Sequence, residues 1–266
     1  MVVAVMAIAL IPRGASAATL QPHTVKAWDA YVAATEARIA AEVASARGFL
    51  VSDFSAEAAD ARGRILRGET AVSEMPSSTR GGQALSVPDA IVSHWRGAIF
   101  LPGVTLATLL DRLQHPPERG PFPQDVLALR VLQRRPDGLT LFIRMTRSRV
   151  VTVTYDTEHD VSYRRSGAHR VSSRSVATKI AEVDGAGTPE ERERAPGDDR
   201  GFLWRLNSYW RYEEVPGGVI VELESLTLSR NIPFGLATVV RPVIERIARE
   251  SIVRTLVGIR DTYGRP

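Results

Sequence analysis

Helical periodicity marks both ends of the chain. Apolar residues recur at three-, four- and seven-residue steps over residues 24–46, and a similar spacing returns over residues 233–263. This period predicts an amphipathic helix in each segment. Gly48 follows the first helix and favours its end there. Proline has no amide hydrogen, so Pro242 predicts a kink or a restart within the second helix.

Alternation of apolar and polar residues dominates the middle of the chain. Glycine-containing turns at 136–138 and 216–218 predict hairpins between neighbouring strands. A strand-like segment, 84–100, comes before a short predicted helix at 106–113, and the polar stretch 184–200 predicts a solvent loop. Six further segments have the length and composition of strands: residues 126–132, 139–146, 150–165, 171–183, 202–213 and 219–228.

The strands at 150–165 and 171–183 are predicted to form a hairpin centred on Gly167. In the first strand, alternate positions carry apolar or aromatic side chains, so one face is expected to be buried and the other wet. With this turn, Tyr163 faces Val171, and Asp160 meets Arg174 on the wet face. The same register sets His159 opposite Ser175 and Thr157 opposite Ala177.

Small side chains occupy the inner face of the second strand of this hairpin. They are Ser173, Ser175, Ala177 and Ala181. A face that packs solidly against a helix usually carries larger residues, because protein interiors are close-packed. This hairpin is therefore predicted to form the wall of a cavity.

The last hairpin supplies bulky side chains to one face and charged side chains to the other. The bulky face carries Phe202, Trp204, Leu206, Trp210 and Tyr212, opposed by Val219, Val221 and Leu223. The other face carries Arg205, Asn207, Arg211, Glu222 and Glu224. We favour a solvated, charge-paired face for the second set; the alternative places these charges inside the cavity, where they would recognise a polar headgroup.

Composition narrows the function classes. The 266 residues include no cysteine, which excludes a disulfide scaffold, a thiolate metal site and a cysteine nucleophile. The 34 basic residues against 30 acidic ones give a net charge of +4, and acidic residues lie among the densest arginines. Nucleic-acid binding is therefore not expected. No histidine pair has metal-ligand spacing and no cofactor motif is present, so neither a metal nor a cofactor is expected.

The amino terminus resembles an export signal. Residues 2–11 are apolar throughout, and Ala15-Ser16-Ala17 is a tripeptide of the kind that signal peptidase cuts after, although no Lys or Arg precedes the apolar run. The run is too short to cross a bilayer, which takes about 20 residues. We therefore expect a signal peptide at 1–17 and a periplasmic or secreted protein.

The end of the predicted sheet and its passage into the last helix resemble a known superfamily. The stretches are Gly-Phe-Leu-Trp-Arg-Leu-Asn-Ser-Tyr-Trp-Arg-Tyr at 201–212, Gly-Gly-Val-Ile-Val-Glu-Leu-Glu at 217–224, and Leu-Ser-Arg-Asn-Ile-Pro at 228–233. They look like uncharacterised bacterial members of the START-like, or SRPBCC, superfamily of hydrophobic-ligand-binding and polyketide-cyclase-like proteins. The similarity covers roughly residues 85–263.

The resemblance implies an α+β helix-grip fold, in which a curved antiparallel sheet wraps around the long C-terminal helix. Here an extra N-terminal helix at 18–48 is expected to precede the helix-grip domain at 49–266. It also implies a cavity between sheet and helix for a lipid or other apolar small molecule, held by a non-catalytic carrier in transient contact with membranes. The expected cavity residues are Val153, Tyr155, His159, Val161, Tyr163, Ser173, Ser175, Ala177, Trp204, Leu206, Trp210, Val221, Val243 and Ile247.

Two alternatives stay open. In the first, the protein is a polyketide cyclase or hydratase-type enzyme that uses the same cavity, with His159 as its general base. A histidine on an inner strand face is more often a core residue that is hydrogen-bonded to a tyrosine or serine. In the second, the protein is a structural or partner-binding module whose interior is filled by side chains.

Overall fold

The computed structural model of the chain describes residues 20–56, 58–117, 122, 125–148, 152–231 and 237–264, with side chains except at 147–148 and 237–244. The expected signal peptide at 1–17 lies outside the described residues. The helices are α1 (Pro22–Val43), a 3-10 helix (Val51–Phe54), α2 (Ala58–Leu66), α3 (Leu106–Gln114) and α4 (Ala237–Tyr263).

Eleven strands are described. They are β1 (Ala71–Glu74), β2 (Thr79–Arg80), β3 (Gln83–Ala84), β4 (Ala90–Pro102), β5 (Val126–Arg135), β6 (Gly138–Ser148), β7 (Thr152–Arg165), β8 (Arg170–Asp184), β9 (Arg192–Glu193), β10 (Arg205–Val215) and β11 (Gly218–Arg230). β9 lies within the stretch predicted to be a loop and pairs with β8, so that prediction was wrong in part.

One antiparallel sheet forms the body of the molecule. Its strands follow the order β1-β4-β11-β10-β8-β7-β6-β5, with β9 beside β8. The architecture is α+β, a large curved antiparallel sheet with a long C-terminal helix, which confirms the predicted helix-grip fold. A single helix spans the position of Pro242, so a restart there is not observed.

The described part of α4 packs against β4, β1, β11 and α3. We call this side of the sheet the inner face. A Cβ atom on Gly97 would lie 2.5 Å from Ile252 Cγ2 and 2.8 Å from Leu256 Cδ1. Real Cβ atoms do not approach so closely, so glycine at this position lets helix and sheet come together. Val221 and Leu223 of β11 belong to the same core cluster.

The segment before β1 covers the opposite, outer face of the sheet. Trp28 and Tyr31 of α1 pack against Leu226 and Leu228 of β11. Further along, Phe49, Leu50 and Ile65 pack against Ala98 and Ile220. Successive residues of a strand point to opposite faces, so Ile220 lies on the outer face while Val219 and Val221 lie on the inner one. The segment from α1 to α2 is therefore a second layer of the domain.

The register of the β7–β8 hairpin differs from the prediction by two residues. Tyr163 lies opposite Ser173 rather than Val171, and His159 opposite Ala177 rather than Ser175. The turn is longer than expected because Ser166 N–H donates to the Arg170 carbonyl at 2.8 Å, which moves its centre past Gly167. A shift of two residues keeps the side chains of β7, and those of β8 up to Ala177, on their predicted faces.

Two further pairings of this hairpin were also predicted wrongly. Asp160 lies opposite Val176 and pairs with Arg135, while Arg174 pairs with Glu36 of α1 at 2.7 Å. A bulge after Glu158 places Thr157 opposite Ile180 rather than Ala177. The same bulge turns Ala181, opposite Asp156, to the outer face, so its predicted inner position was wrong. The later hairpin has the predicted alignment of apolar residues, with Trp210 opposite Leu223 and Tyr212 opposite Val221.

Candidate functional site

A hydrogen-bonded row of polar side chains crosses the inner face on β7 and β8. The Thr157 hydroxyl donates to the Ile143 carbonyl at 2.8 Å, so its oxygen accepts from the His159 ring nitrogen Nε2 at 3.0 Å. His159 Nδ1 is then free to accept from the Ser175 hydroxyl, 3.4 Å away. This arrangement defines a neutral imidazole with its proton on Nε2.

Burial keeps that imidazole neutral. His159 is 5% exposed, and removal from water lowers its pKa to about 4. The groups that bond to it are a threonine and a serine; no described carboxylate forms a hydrogen bond or ion pair with it. The imidazolium therefore has little to stabilise it at neutral pH. These contacts match the bonding expected of a core histidine, although tyrosine is not among the partners.

Three tyrosines lie together at the other end of the inner face. Burial raises the pKa of Tyr163, Tyr212 and Tyr263, and each of the first two is affected electrostatically by Tyr263. A hydrogen bond from Ser173 partly offsets the effect of burial on Tyr212. All three phenols therefore stay neutral at physiological pH, and this end of the face carries hydroxyl groups without charge.

The inner face has a filled half and a less filled half. Val221 and Tyr212 belong to the core cluster that includes Ile252 and Leu256 of α4. On β6, β8 and β10 the inner-face residues Leu141, Ile143, Ala177, Ile180 and Leu206 are only half-buried. Solvent therefore reaches apolar side chains on this half of the face. We call this half, together with the His159 row, the inner hollow.

The structure brings most of the predicted site residues to the inner face in three groups. Tyr163, Trp210 and Val221 join the cluster under α4, and Val153, Tyr155 and Leu206 form a second cluster with Met145. Between them, in the inner hollow, lie His159, Val161, Ser173, Ser175 and Ala177. Ile247 is half-buried on α4, and the side chain of Val243 lies outside the described residues.

Trp204 does not join the others. It packs with Trp28 and Tyr31 in the cluster under α1, and its ring N–H donates to Asp199 at 3.1 Å. β10 begins only at Arg205, so the alternation that predicted an inner position does not extend back to residue 204. Trp204 was therefore assigned to the wrong face.

Three charged side chains of the last hairpin are buried, although their face was predicted to be solvated; Arg205 is half-buried. Arg211 is 2% exposed, and Glu222 and Glu224 are buried with it on the outer face. Arg211 donates to the Phe49 carbonyl at 2.7 Å and to Glu42 at 2.5 Å. The cover comes from α1 and the 3-10 helix, which the sequence did not place over this face.

Glu224 lies at the centre of this outer-face network. It is paired with Arg38 of α1 and with His94 Nε2 at 2.7 Å, and His94 Nδ1 bonds the Tyr31 hydroxyl at 2.9 Å. Burial acts to raise the pKa of Glu224, but the His94 hydrogen bond and the Arg38 charge outweigh it and hold the pKa below its usual range. The carboxylate stays ionised, so the network binds α1 to the sheet.

Glu222 is held differently. It accepts from the Val51 N–H at 2.7 Å, and its nearest described cation contact is Arg96 at 3.9 Å. Burial raises its pKa above the usual range in spite of the opposing Arg211 charge. Alternation of Arg211, Glu222 and Glu224 on paired strands was the sequence signal for this network. It did not distinguish a wet face from a covered one.

Two clefts at the surface are lined by described residues. One, of about 300 Å³, lies on the outer face between α2 and the ends of β8 and β10, where Arg62 and Arg170 pair with Glu213. The other, of about 150 Å³, lies beside Trp204, Leu203 and Ile180. The first contains none of the predicted site residues, and the second contains one of them, Trp204.

No group of metal-ligating side chains occurs among the residues that the structure describes. Within the same residues, no helix combines the length and apolar character that are needed to span a bilayer.

No protein-family model matches the chain, and no curated protein matches it either. Among solved structures, human StAR-related lipid transfer protein 5 is 15% identical with a TM-score of 0.48, over 90% of this chain and 97% of that one. A STAR-related lipid transfer protein fragment from Xanthomonas axonopodis is 16% identical with a TM-score of 0.46, over 68% and 97%. The Zhui aromatase/cyclase from Streptomyces sp. R1128 is 10% identical with a TM-score of 0.40, over 64% and 93%. These likenesses do not identify what this chain binds.

Proposed function

We propose that this protein binds a lipid or another apolar small molecule in the inner hollow and acts as a non-catalytic carrier or sequestering protein. The observation that supports the proposal is the half-buried apolar surface of Leu141, Ile143, Ala177 and Leu206, on the part of the inner face beside the filled half. We further propose that it acts in the periplasm or outside the cell, as the predicted leader implies.

The energetics of such a site favour an acyl or polycyclic ligand. Each buried methylene contributes about 0.8 kcal/mol before ordering costs, so a chain of ordinary length provides useful affinity without any charged contact. His159, Thr157 and Ser175 already satisfy one another's hydrogen bonds. They present a neutral polar edge, which suits a hydroxyl or a carbonyl better than a free charge.

The test is to block the hollow with a bulky side chain. Ser175 is half-buried at the middle of the inner face, so Ser175→Trp should occupy the space of the ligand. We expect the delipidated protein to bind a fluorescent fatty acid or sterol, and the Ser175→Trp protein to bind it at least about tenfold more weakly, a loss of about 1.4 kcal/mol. Titration followed by fluorescence measures both affinities.

The matched control places the same side chain outside the hollow. Thr178 is exposed on the same strand, at its bulge, so Thr178→Trp should leave the affinity unchanged. Circular dichroism of both variants checks that each is folded. Unchanged affinity in a folded Ser175→Trp protein would place the ligand elsewhere, and no affinity in the parent protein would leave the carrier hypothesis without support.

The second candidate is the cyclase or hydratase-type enzyme. The observation in its favour is the Ser175 hydroxyl facing His159 Nδ1, the geometry of an alcohol beside a base. Against it, a base with a pKa of about 4 is weak, and Thr157 stands where a carboxylate would stabilise the imidazolium. A turnover that survives unchanged in His159→Ala would remove this residue as the base.

A further inference from the structure

The edge strand β5 carries two exposed leucines. The strand order of the sheet ends at β5, so one side of this strand has no strand partner among the described residues. Leu127 is 52% exposed and Leu132 is 49% exposed. Among the described large hydrophobic residues, one other is exposed, Leu66 on α2, at 40%.

Both leucines are extra residues of β-bulges. The pairing of β5 with β6 passes from Val126 to Ala128 and again from Val131 to Gln133, leaving Leu127 and Leu132 without a partner in the ladder. At about 3.3 Å per residue the two side chains are roughly 16 Å apart along the edge. Bulges break the regular row of backbone groups that another strand would need, so this edge disfavours sheet extension by a second copy.

The charges of the same strand are all positive. β5 contains Arg130, Arg134 and Arg135 and no acidic residue. Arg135 pairs with Asp160, whereas the exposed Arg130 lies over the Phe142 ring at 4.3 Å and the exposed Arg134 donates to the Gln114 carbonyl. Neither of these two pairs with a carboxylate of the described residues, so each keeps a full positive charge at the surface.

We propose that this exposed edge, Leu127 to Arg134, is a docking surface for a bilayer that contains anionic lipid. The bilayer meets the sheet edge-on: the leucines enter the acyl region, and Arg130 on the outer face and Arg134 on the inner face reach lipid phosphates on either side of the edge from flexible apolar stems. β5 borders the same half of the sheet as the inner hollow, through β6 and β7. The inference rests on the exposed edge itself and does not depend on the proposed function.

Vesicle co-sedimentation of the full chain tests the surface. The protein should sediment with phosphatidylcholine vesicles that contain about a third phosphatidylglycerol, and much less with phosphatidylcholine alone. The double variant Leu127→Asp/Leu132→Asp should bind at least about tenfold more weakly, since each buried leucine side chain contributes more than one factor of ten. Leu66→Asp is the matched control and should bind as the parent does.

A second variant separates charge from apolar insertion. Arg130→Gln/Arg134→Gln should weaken binding at low salt and flatten its salt dependence, because screening acts on the exposed charges. The thermal midpoints and the fatty-acid affinities of all variants, measured without vesicles, report whether fold and cargo binding are intact, so a failure of one proposal is distinguishable from a failure of the other.

Three results would overturn the docking surface. The first is equal sedimentation of the folded double-leucine variant and the Leu66→Asp protein. The second is binding that does not depend on anionic lipid or on the two arginines. The third is a concentration-dependent dimer in analytical ultracentrifugation that the leucine variant abolishes while vesicle binding is absent, which would make the edge an interface between two copies of the chain.

Discussion

His159 illustrates how one side chain can be placed correctly and still have its role decided by its surroundings. Period-two alternation predicted its inner position, and the structure confirms it. Its chemistry depends on what surrounds it: the buried hydroxyls of Thr157 and Ser175 define the neutral tautomer, and desolvation lowers its pKa to about 4. A carboxylate beside a histidine at the same strand position would instead raise the pKa of that histidine.

The lowered pKa of His159 predicts a specific loss of stability in acid. The unfolded chain takes up a proton on this histidine near pH 6.5, whereas the folded protein resists until about pH 4, so the free energy of unfolding falls as the pH drops across that interval. The loss amounts to about 3 kcal/mol. Below pH 4 both states are protonated and this contribution changes no further.

Urea denaturation of the parent and His159→Gln proteins at pH 7 and pH 4 measures this effect by difference. The variant should be less stable at pH 7, because it loses the hydrogen bonds of the ring, and the gap should close or reverse at pH 4. Carboxylates that titrate in the same interval change the free energy of unfolding of both proteins equally, so their contribution cancels in the difference. Parallel pH profiles for the two proteins would contradict the assignment.

At the scale of elements, α1 is attached to the sheet through buried charges as well as through aromatic side chains. Arg211 of β10 bonds Glu42 of α1 and the Phe49 carbonyl, and Arg38 of α1 pairs with Glu224 of β11. A buried charge is costly when it loses its partner, whereas an exposed pair contributes little. Single substitutions in the outer-face network should therefore cause large losses in the free energy of unfolding.

Arg211→Met tests this attachment. It keeps an apolar stem of similar length but leaves the buried Phe49 carbonyl without this donor and removes one of two arginines that bond Glu42, the other being Arg38 at 2.9 Å. We therefore expect a loss of about 3 kcal/mol in the free energy of unfolding. Arg64→Met is the control, since Arg64 pairs with Glu69 at 2.8 Å on the surface; its loss should stay below about 1 kcal/mol. Chemical denaturation with equal effects in both variants would contradict a buried role for Arg211.

At the scale of the whole molecule, the chain before β1 completes the domain. Division of the sequence at residue 48 into a separate helix and a helix-grip domain remains a prediction, but α1 covers Leu226, Leu228 and the buried charges of the sheet. Removing it would expose apolar side chains and leave Arg211 and Glu224 without Glu42 and Arg38. Such losses are comparable with the 5–15 kcal/mol that typically stabilises a domain.

A protein that begins at residue 49 is therefore expected not to fold cooperatively. Near-UV circular dichroism should lack the signal of fixed aromatic side chains, and calorimetry should show no sharp transition. The control is a protein that begins at residue 18, which retains α1 and should unfold cooperatively. A sharp transition within a few degrees of that control would show that α1 is dispensable.

Patterns that repeat along one element were sufficient to predict much of this molecule. The alternation in β7 and β10 identified the inner faces, and glycine at 138 and 217–218 located two hairpins. The register of the β7–β8 hairpin was predicted wrongly. Its turn is closed by a backbone hydrogen bond between Ser166 and Arg170, which does not depend on the identity of the side chains. Trp204 was misplaced for a related reason: alternation does not indicate where a strand begins.

The sequence by itself determined the order of the long elements, α1, β4, α3, β5 to β8, β10, β11 and α4, together with the α+β class and the apolar side of most strands, because those depend on local spacing. Tertiary structure alone decided which surfaces are covered. The charges of Arg211, Glu222 and Glu224 are buried only because α1 and the 3-10 helix lie over them, and the exposure of Leu127 and Leu132 follows from bulges on an edge strand. Burial depends on packing between segments that are far apart in the chain, so a local sequence pattern does not predict it.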